Sequence, residues 1–181
     1  MDKSLEDIIG IFLHICGLGD NDTRCIRENS ARIVPYVEHV TVGFYSKLVD
    51  EPKTFKYVEG RIDHLMETHK KWLRNLLAAN YDNAFMEDQL RIGHVHVQAK
   101  IEPLFVASSM SYLRSELTIC IENEFGKTPE LAGRLTGALM RAIDLCHFLI
   151  DYAYEKSRLN KLTEATGLSR PLLESLIELR A

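Results

Sequence analysis

Apolar residues recur at intervals of three and four along almost the whole chain, which is the period of an amphipathic α-helix. Residues 3–16 carry this pattern, and the run GLGD after them is typical of a helix end. A further periodic stretch begins near Pro35 and continues to Leu48, where DEPKT interrupts it. No segment alternates apolar and polar residues as a half-buried strand would, so the pattern predicts an all-α fold.

The rest of the chain continues in longer helical segments. Prolines placed just inside a predicted start and glycines just past a predicted end mark their limits. Pro103 opens one of these segments, which Gly126 closes, and Pro129 opens the next, with Thr128 as its cap. The predicted helices here cover roughly 54–79, 84–100, 103–125 and 129–157.

The tail, residues 158–181, has spaced leucines, a break at Gly167 and a restart at Ser169–Pro171. It fits a coupling helix, a dimerisation segment or the start of a second domain, and the residues themselves do not separate these readings.

Length and charge narrow the function classes. A chain of 181 residues suits one domain, and a net charge of −4 argues against a broad nucleic-acid-binding face. No apolar run approaches the roughly 18 residues of a membrane span, and the acidic N-terminus does not resemble a signal peptide. The four cysteines form no CxxC pair, so neither a zinc site nor a disulfide framework is indicated. We expect a soluble, cytoplasmic protein without membrane or nucleic-acid partners.

Two histidines in RIGHVHVQAKIEP, His94 and His96, are candidate ligands. On a helix they point about 200° apart, so only one of them can face a common pocket. The apolar stripes on either side of the helix favour neither, and a lone helix histidine is more often surface or core filler than a ligand.

His69 interrupts an apolar stripe between Leu65 and Trp72. An unpaired imidazole in that position would cost a few kcal/mol. Either the ring is hydrogen-bonded within the core or at its edge, or it faces a cofactor.

The order of four segments resembles that of the sensor globins, the haem domains of globin-coupled sensors. The segments are GLGDNDTRCIRENSARIVPYVEHVTVGFYSKLVDEPKT, HKKWLRNLLAANYDNAF, RIGHVHVQAKIEPLFVASSMSYL and DLCHFLIDYAY, which together span roughly residues 15–157. The third contains the family's R-I-G-x-x-H segment, with the histidine seven residues before a proline. The resemblance implies a sensor globin domain over residues 1–157, with an extra N-terminal helix and a C-terminal helical extension over 158–181.

The resemblance also implies a haem b site. It makes His96 the proximal ligand of the iron and turns His94 away from it. Tyr45 matches the distal tyrosine, whose hydroxyl can hydrogen-bond to a bound gas, and His69 is a candidate sixth ligand. Where the family usually has Ile-Gly-Leu after the ligand, this chain has Ala99, Lys100 and Ile101. The residues expected around the haem are Phe44, Tyr45, Leu65, His69, Trp72, Ile92 and Val97.

By the same resemblance, the protein is expected to detect O2, CO or NO, or a redox state. The expected homodimer forms through helices 103–125 and 129–157, and the tail signals to an output domain or a separate partner. The chain carries no output enzyme motif and is not expected to be an enzyme. Two alternatives stay open: a haem-free globin-like interaction module, and a haem enzyme such as a nitric oxide dioxygenase or a peroxidase.

Overall fold

The computed structural model describes residues 3–178, and it describes side chains up to residue 176. This part of the chain is all-α, as predicted, and contains one short 3-10 turn at Val34–Tyr36. The α-helices are α1 (Lys3–Cys16), α2 (Asp20–Ile33), α3 (Val37–Asp50), α4 (Pro52–Val58), α5 (Ile62–Ala78), α6 (Asn83–Gln98), α7 (Pro103–Phe125), α8 (Pro129–Thr166) and α9 (Arg170–Glu178).

The helix ends follow the local chemistry of the sequence. Gly17 adopts a positive φ of 73° after α1, a conformation that costs glycine little. At the start of α4, Pro52 takes the first position and the Glu51 carboxylate accepts a hydrogen bond from Lys53 N at 3.0 Å. Asp82 caps α6 by accepting from Phe85 N at 2.9 Å. With these breakers, α1, α6 and α7 begin and end within a few residues of their predicted limits.

The single helix predicted over roughly 54–79 is wrong. The chain forms α4 and α5 instead, because Gly60 lies between them with a φ of +74° and turns the backbone. Phe55, Val58, Ile62 and Leu65 keep the spacing of three and four across this turn. The apolar period therefore does not reveal the break.

The core is organised around α8, which packs against α2, α6 and α7. Its apolar residues are fully buried along the middle of the helix. Those with no exposed surface include Leu135, Leu139, Ile143, Leu145 and Leu149.

A second, smaller cluster forms where α3, α4 and α5 meet. Phe44, Tyr45 and Val58 are its buried members, and Leu65 packs against them. We call α3, α4 and α5 together the distal wall. The distal wall has its own apolar cluster, separate from the main core around α8.

Helix α6 crosses α8 at Gly93. A Cβ atom added there would lie 2.6 Å from Cβ of Ala153 and 2.9 Å from the carbonyl oxygen of Ile150. Only glycine allows this approach without displacing backbone. Gly93 lies three residues before His96 on α6. The close contact at Gly93 therefore fixes the position of His96 relative to α8.

The C-terminal extension begins within a helix. Helix α8 runs without interruption across the predicted boundary at residue 157 and ends where Gly167 adopts a φ of +70°. Helix α9 then packs on α8 through the buried Leu173. The predicted break at Gly167 and the restart after it are confirmed. The last three residues of the predicted segment lie outside the described part of the chain.

Candidate functional site

His96 lies in the last turn of α6 with one ring nitrogen committed. Its Nδ1 is 2.7 Å from the carbonyl oxygen of Ile92, one turn earlier. A carbonyl oxygen can only accept, so Nδ1 carries the proton and Nε2 keeps a free lone pair. Burial lowers the pKa of His96, and the bond to Ile92 opposes this effect. The ring is therefore a neutral imidazole with an unprotonated Nε2, which is the form that binds a metal.

His94 points to solvent on the other side of α6, where it lines a surface groove with Lys156 and Lys161. The two histidines thus differ in exposure, as helical geometry requires. Of this pair, only His96 has a partly buried ring with a fixed tautomer.

His69 lies on α5 within an aromatic stack. Its ring stacks between those of Phe44 and Trp72, with centroid distances of 4.9 and 5.7 Å and interplanar angles of 27° and 18°. The Tyr45 ring approaches edge-on at 5.9 Å. The Thr41 hydroxyl lies 3.0 Å from Nδ1. Nε2 is fully buried and has no hydrogen-bond partner among the described residues. Burial lowers the pKa of His69 to about 4, so the ring is neutral at physiological pH.

Tyr45 and Phe44 come from adjacent positions of α3 and are both buried. Their rings meet edge-on at 5.2 Å. Burial raises the pKa of Tyr45 to about 12, and the nearby Arg61 guanidinium reduces that shift. The phenol therefore stays protonated and can donate a hydrogen bond. Leu65 packs against the same cluster.

A hydrogen bond joins the distal wall to α6. Trp72 Nε1 donates to Oε1 of the buried Gln89 at 2.8 Å. His69 is one turn before Trp72 on α5, and His96 is two turns after Gln89 on the same face of α6. Because a short loop connects α5 to α6, both steps lead away from that loop. Both histidines therefore lie beyond the Trp72–Gln89 bond on the side away from the loop. They lie on the faces of α5 and α6 that this bond joins.

Ile92 and Val97 are partly buried and pack against the main core. Ile92 also supplies the carbonyl that orients His96. Each predicted site residue thus belongs either to the distal wall or to α6. Trp72, which is part of the distal wall, links the two through its bond to Gln89.

Four residues of this region were not among the predicted ones. Thr41 and Gln89 are buried polar side chains that bind His69 and Trp72, and their polarity on apolar helix faces was the available signal. Tyr57 and Tyr154 bind backbone carbonyls of the turn after α6. No pattern in the sequence marks these two tyrosines, because their partners are backbone atoms.

The residues present fit a haem group. Haem iron requires an unprotonated imidazole nitrogen, and the porphyrin requires apolar surroundings. His96 provides the first, and Phe44, Leu65, Trp72 and Val97 provide part of the second. A buried nitrogen without a partner costs about 1–3 kcal/mol, and an iron atom would satisfy Nε2 of His69. Within residues 3–178, no group of three or more His, Cys, Asp or Glu side chains is arranged to hold a metal ion by itself.

Comparison with known proteins finds a globin family and globin-domain structures. The protoglobin family model matches residues 7–160. The globin domain of a Geobacter sulfurreducens globin-coupled sensor has a similar structure, with a TM-score of 0.75 and 22% identity over 80% of this chain and 96% of that one.

Two crystal forms of the globin domain of E. coli DosC are also similar, one ferric and one ferrous. Their TM-scores are 0.69 and 0.68, both at 13% identity, and they cover 81% and 80% of this chain and 99% and 97% of their own. No curated protein sequence matches the chain. In the part of the chain that the structure describes, no helix is long and apolar enough to cross a membrane.

Proposed function

We propose, since the chain belongs to the protoglobin family, that it is a haem-binding sensor globin that detects a diatomic gas or a redox state. The observation that carries the proposal is Nε2 of His69, which is buried and without a hydrogen-bond partner among the described residues. Burying such an atom costs free energy, because no hydrogen bond compensates for its desolvation. A ligand that binds this nitrogen would remove the cost.

In this proposal, Nε2 of His96 would hold haem b. Phe44, Tyr45, Leu65 and Trp72 of the distal wall, and Ile92 and Val97 of α6, would surround it. When bound, haem supplies an iron centre that can take O2, CO or NO. The chain's own residues orient His96 through the Ile92 carbonyl and hold a proton on the Tyr45 hydroxyl, whose raised pKa keeps it available as a donor.

His69 is proposed as the sixth ligand of the iron. A metal on Nε2 would fix the proton on Nδ1, which then donates to the Thr41 hydroxyl 3.0 Å away. A gas must displace this ligand, so its apparent affinity falls by the fraction of protein in the open form.

The proposed readout is a homodimer formed through α7 and α8. One face of α7 exposes Leu104 and Ile119, with the exposed Ser108, Ser111 and Ser115 between them along the helix. Small side chains allow a second helix to approach closely, and the two apolar side chains would gain from being covered. The tail beyond residue 157 would then carry the signal to an output domain or partner, through the exposed Leu162, Leu172 and Leu176.

The proposed sensor is not an enzyme and lies in the cytoplasm. Its four cysteines are free thiols, which suits a reducing compartment.

Titration of the purified chain with haemin, followed by absorption spectroscopy, tests the proposal. We expect a Soret band at one haem per chain. His96→Ala is expected to abolish or greatly weaken haem retention, and His94→Ala, its matched control on the exposed face of α6, is expected to retain haem. Absence of a Soret band in the unmodified chain would contradict the haem proposal and favour a haem-free interaction module.

The ferrous protein without added gas tests the role of His69. Two sharp visible bands are expected, because they indicate six-coordinate iron, and His69→Ala is expected to convert them into one broad band. A six-coordinate spectrum that survives His69→Ala would exclude His69 as the ligand.

A further inference from the structure

The turn between α6 and α7 is bonded directly to the backbone of His96. Ile101 N donates to the carbonyl oxygen of His96 at 3.0 Å, and Lys100 N donates to that of Val97 at 3.1 Å. Lys100 itself adopts the left-handed conformation, with a φ of +56°. This pair of bonds is the Schellman arrangement that closes many helices. Movement of the turn therefore moves the last turn of α6, and His96 with it.

Two tyrosine hydroxyls bind the next carbonyls of this turn. Tyr57, from α4, donates to the carbonyl oxygen of Lys100 at 3.0 Å, and Tyr154, from α8, donates to that of Ile101 at 2.8 Å. Burial raises the pKa of Tyr154 to about 12, and the Asp151 carboxylate and the Tyr57 phenol add to this rise. The turn is thus held from two sides, by α8 and by the distal wall.

Tyr57 is well placed to transmit a displacement because it is fixed at both ends. Arg61 donates to its carbonyl oxygen from Nε at 3.0 Å and from Nη2 at 2.8 Å. Its ring lies 6.2 Å from that of Phe105 in the first turn of α7. The next residue on α4, Val58, is buried in the cluster with Phe44 and Tyr45. A shift of the distal wall therefore reaches the carbonyl of Lys100 through a short and restrained path.

We propose that Tyr57 is a positioning residue for His96, whose hydroxyl couples the distal wall to the helix that carries the proximal histidine. This role rests on the proposed haem site. A change around Tyr45 or His69 moves α4, and the Tyr57 hydroxyl passes the movement to the end of α6. Tyr154 fixes the same turn to α8, which continues unbroken to Thr166.

The test compares Tyr57→Phe with Tyr36→Phe in the haem-loaded chain. Tyr36→Phe is the matched control because the Tyr36 hydroxyl also joins two elements, donating to Glu124 Oε2 at 3.1 Å, but far from the α6–α7 turn. Transfer of haem to an excess of an apoglobin acceptor is expected to be about two- to fivefold faster in Tyr57→Phe and unchanged in Tyr36→Phe. Equal rates in the unmodified chain and Tyr57→Phe would overturn the proposal.

Resonance Raman spectra of the photolysed CO complex give a second measure, which general destabilisation would not alter. The iron–histidine stretching band of this species is expected to shift in Tyr57→Phe and to stay in place in Tyr36→Phe. An unshifted band in Tyr57→Phe would overturn the positioning role.

Hydrogen–deuterium exchange of the haem-free chain separates this inference from the haem proposal. Tyr57→Phe is expected to accelerate exchange at the amides of Lys100 and Ile101, and unchanged exchange would overturn the coupling. If the unmodified chain develops no Soret band, the haem proposal fails and the positioning role fails with it. A normal Soret band with unaltered haem loss in Tyr57→Phe overturns the positioning role alone.

Discussion

The hydroxyl oxygen of Thr41 lies 3.0 Å from Nδ1 of His69, so a residue of α3 determines which ring nitrogen of a residue of α5 remains without a partner. The tautomer of His69 is not fixed by this contact, since a hydroxyl can donate or accept. His96 differs, because its Nδ1 faces a carbonyl that can only accept. Binding of a metal to His69 therefore selects a tautomer, whereas His96 is already in the ligand form.

Thr41→Val removes the hydroxyl while it keeps the shape of the side chain. Leaving Nδ1 of His69 unpaired is expected to cost about 1–3 kcal/mol in the free energy of unfolding, measured by urea denaturation of the haem-free chain. In the ferrous haem complex, the six-coordinate fraction is expected to fall because His69 is no longer oriented. Thr54→Val is the control, since the Thr54 hydroxyl is also in a buried residue and bonds the Leu48 carbonyl at 2.7 Å. It is expected to lower stability without altering the spectrum, and a spectral change as large as that of Thr41→Val would contradict the assignment.

Acid is expected to destabilise the haem-free chain through His69. Its pKa is about 4 in the fold against an ordinary value of 6.5, so the unfolded chain binds a proton that the folded chain does not. The contribution of neutral His69 to the free energy of unfolding is therefore fully present above pH 6.5. It declines as the pH falls from 6.5 to 4, by up to about 3 kcal/mol.

Urea denaturation of the haem-free chain across this pH range measures the effect of His69. His69→Leu is expected to flatten the slope, and His64→Leu, at an exposed position of the same helix, to leave it as it is. The part of the slope that remains in His69→Leu is expected to include His96, whose pKa is also lowered. A slope equal to that of the unmodified chain in His69→Leu would show that His69 does not titrate in this way.

Gly93→Ala is expected to destabilise the fold by about 1–3 kcal/mol, because the added methyl would lie 2.9 Å from the Ile150 carbonyl oxygen. Gly10→Ala provides the control, since nothing lies within 4 Å of a Cβ at that helical position. It is expected to stabilise the chain by about 0.5–1 kcal/mol. Thermal unfolding of both variants measures the difference, and equal stabilisation by the two substitutions would contradict the close crossing of α6 and α8.

Lys100→Gly is expected to stabilise the chain by about 0.5–1 kcal/mol, since glycine adopts the φ of +56° without the strain of a Cβ. Lys100→Ala separates this effect from loss of the side chain, because alanine keeps the Cβ. It is expected to change the free energy of unfolding by only a few tenths of a kcal/mol. If alanine stabilised as much as glycine, the backbone conformation would not be the cause.

Ser111→Arg is expected to weaken the proposed dimer by placing a charge in the middle of the exposed face of α7. Sedimentation velocity over a range of protein concentrations is expected to show a dimer for the unmodified chain and a monomer for the variant. Ser46→Arg, at an exposed position of α3, is expected to remain a dimer. A monomeric unmodified chain at all concentrations would contradict the proposal.

The sequence by itself determined the helical class and most helix ends. The apolar period, the prolines at first positions and the glycines past helix ends are local signals, and they act through local sterics and hydrogen bonds. For this reason the limits of α1, α7 and the break at Gly167 were predictable. The turn at Gly60 was not, since a single left-handed residue left the apolar spacing unchanged.

Identification of the candidate site depended on both the sequence and the tertiary structure. The residue pattern alone singled out His69 in an apolar stripe. The choice of His96 needed the resemblance to a family, because helical geometry separated His94 from His96 without choosing between them. The tertiary structure decided which one is partly buried, and it supplied Thr41 for His69, Gln89 for Trp72 and Tyr57 for the α6–α7 turn. These partners lie 28, 17 and 43 residues apart along the chain. Contacts of that kind arise from how whole helices pack, and neither residue of such a pair carries a local signal of the other.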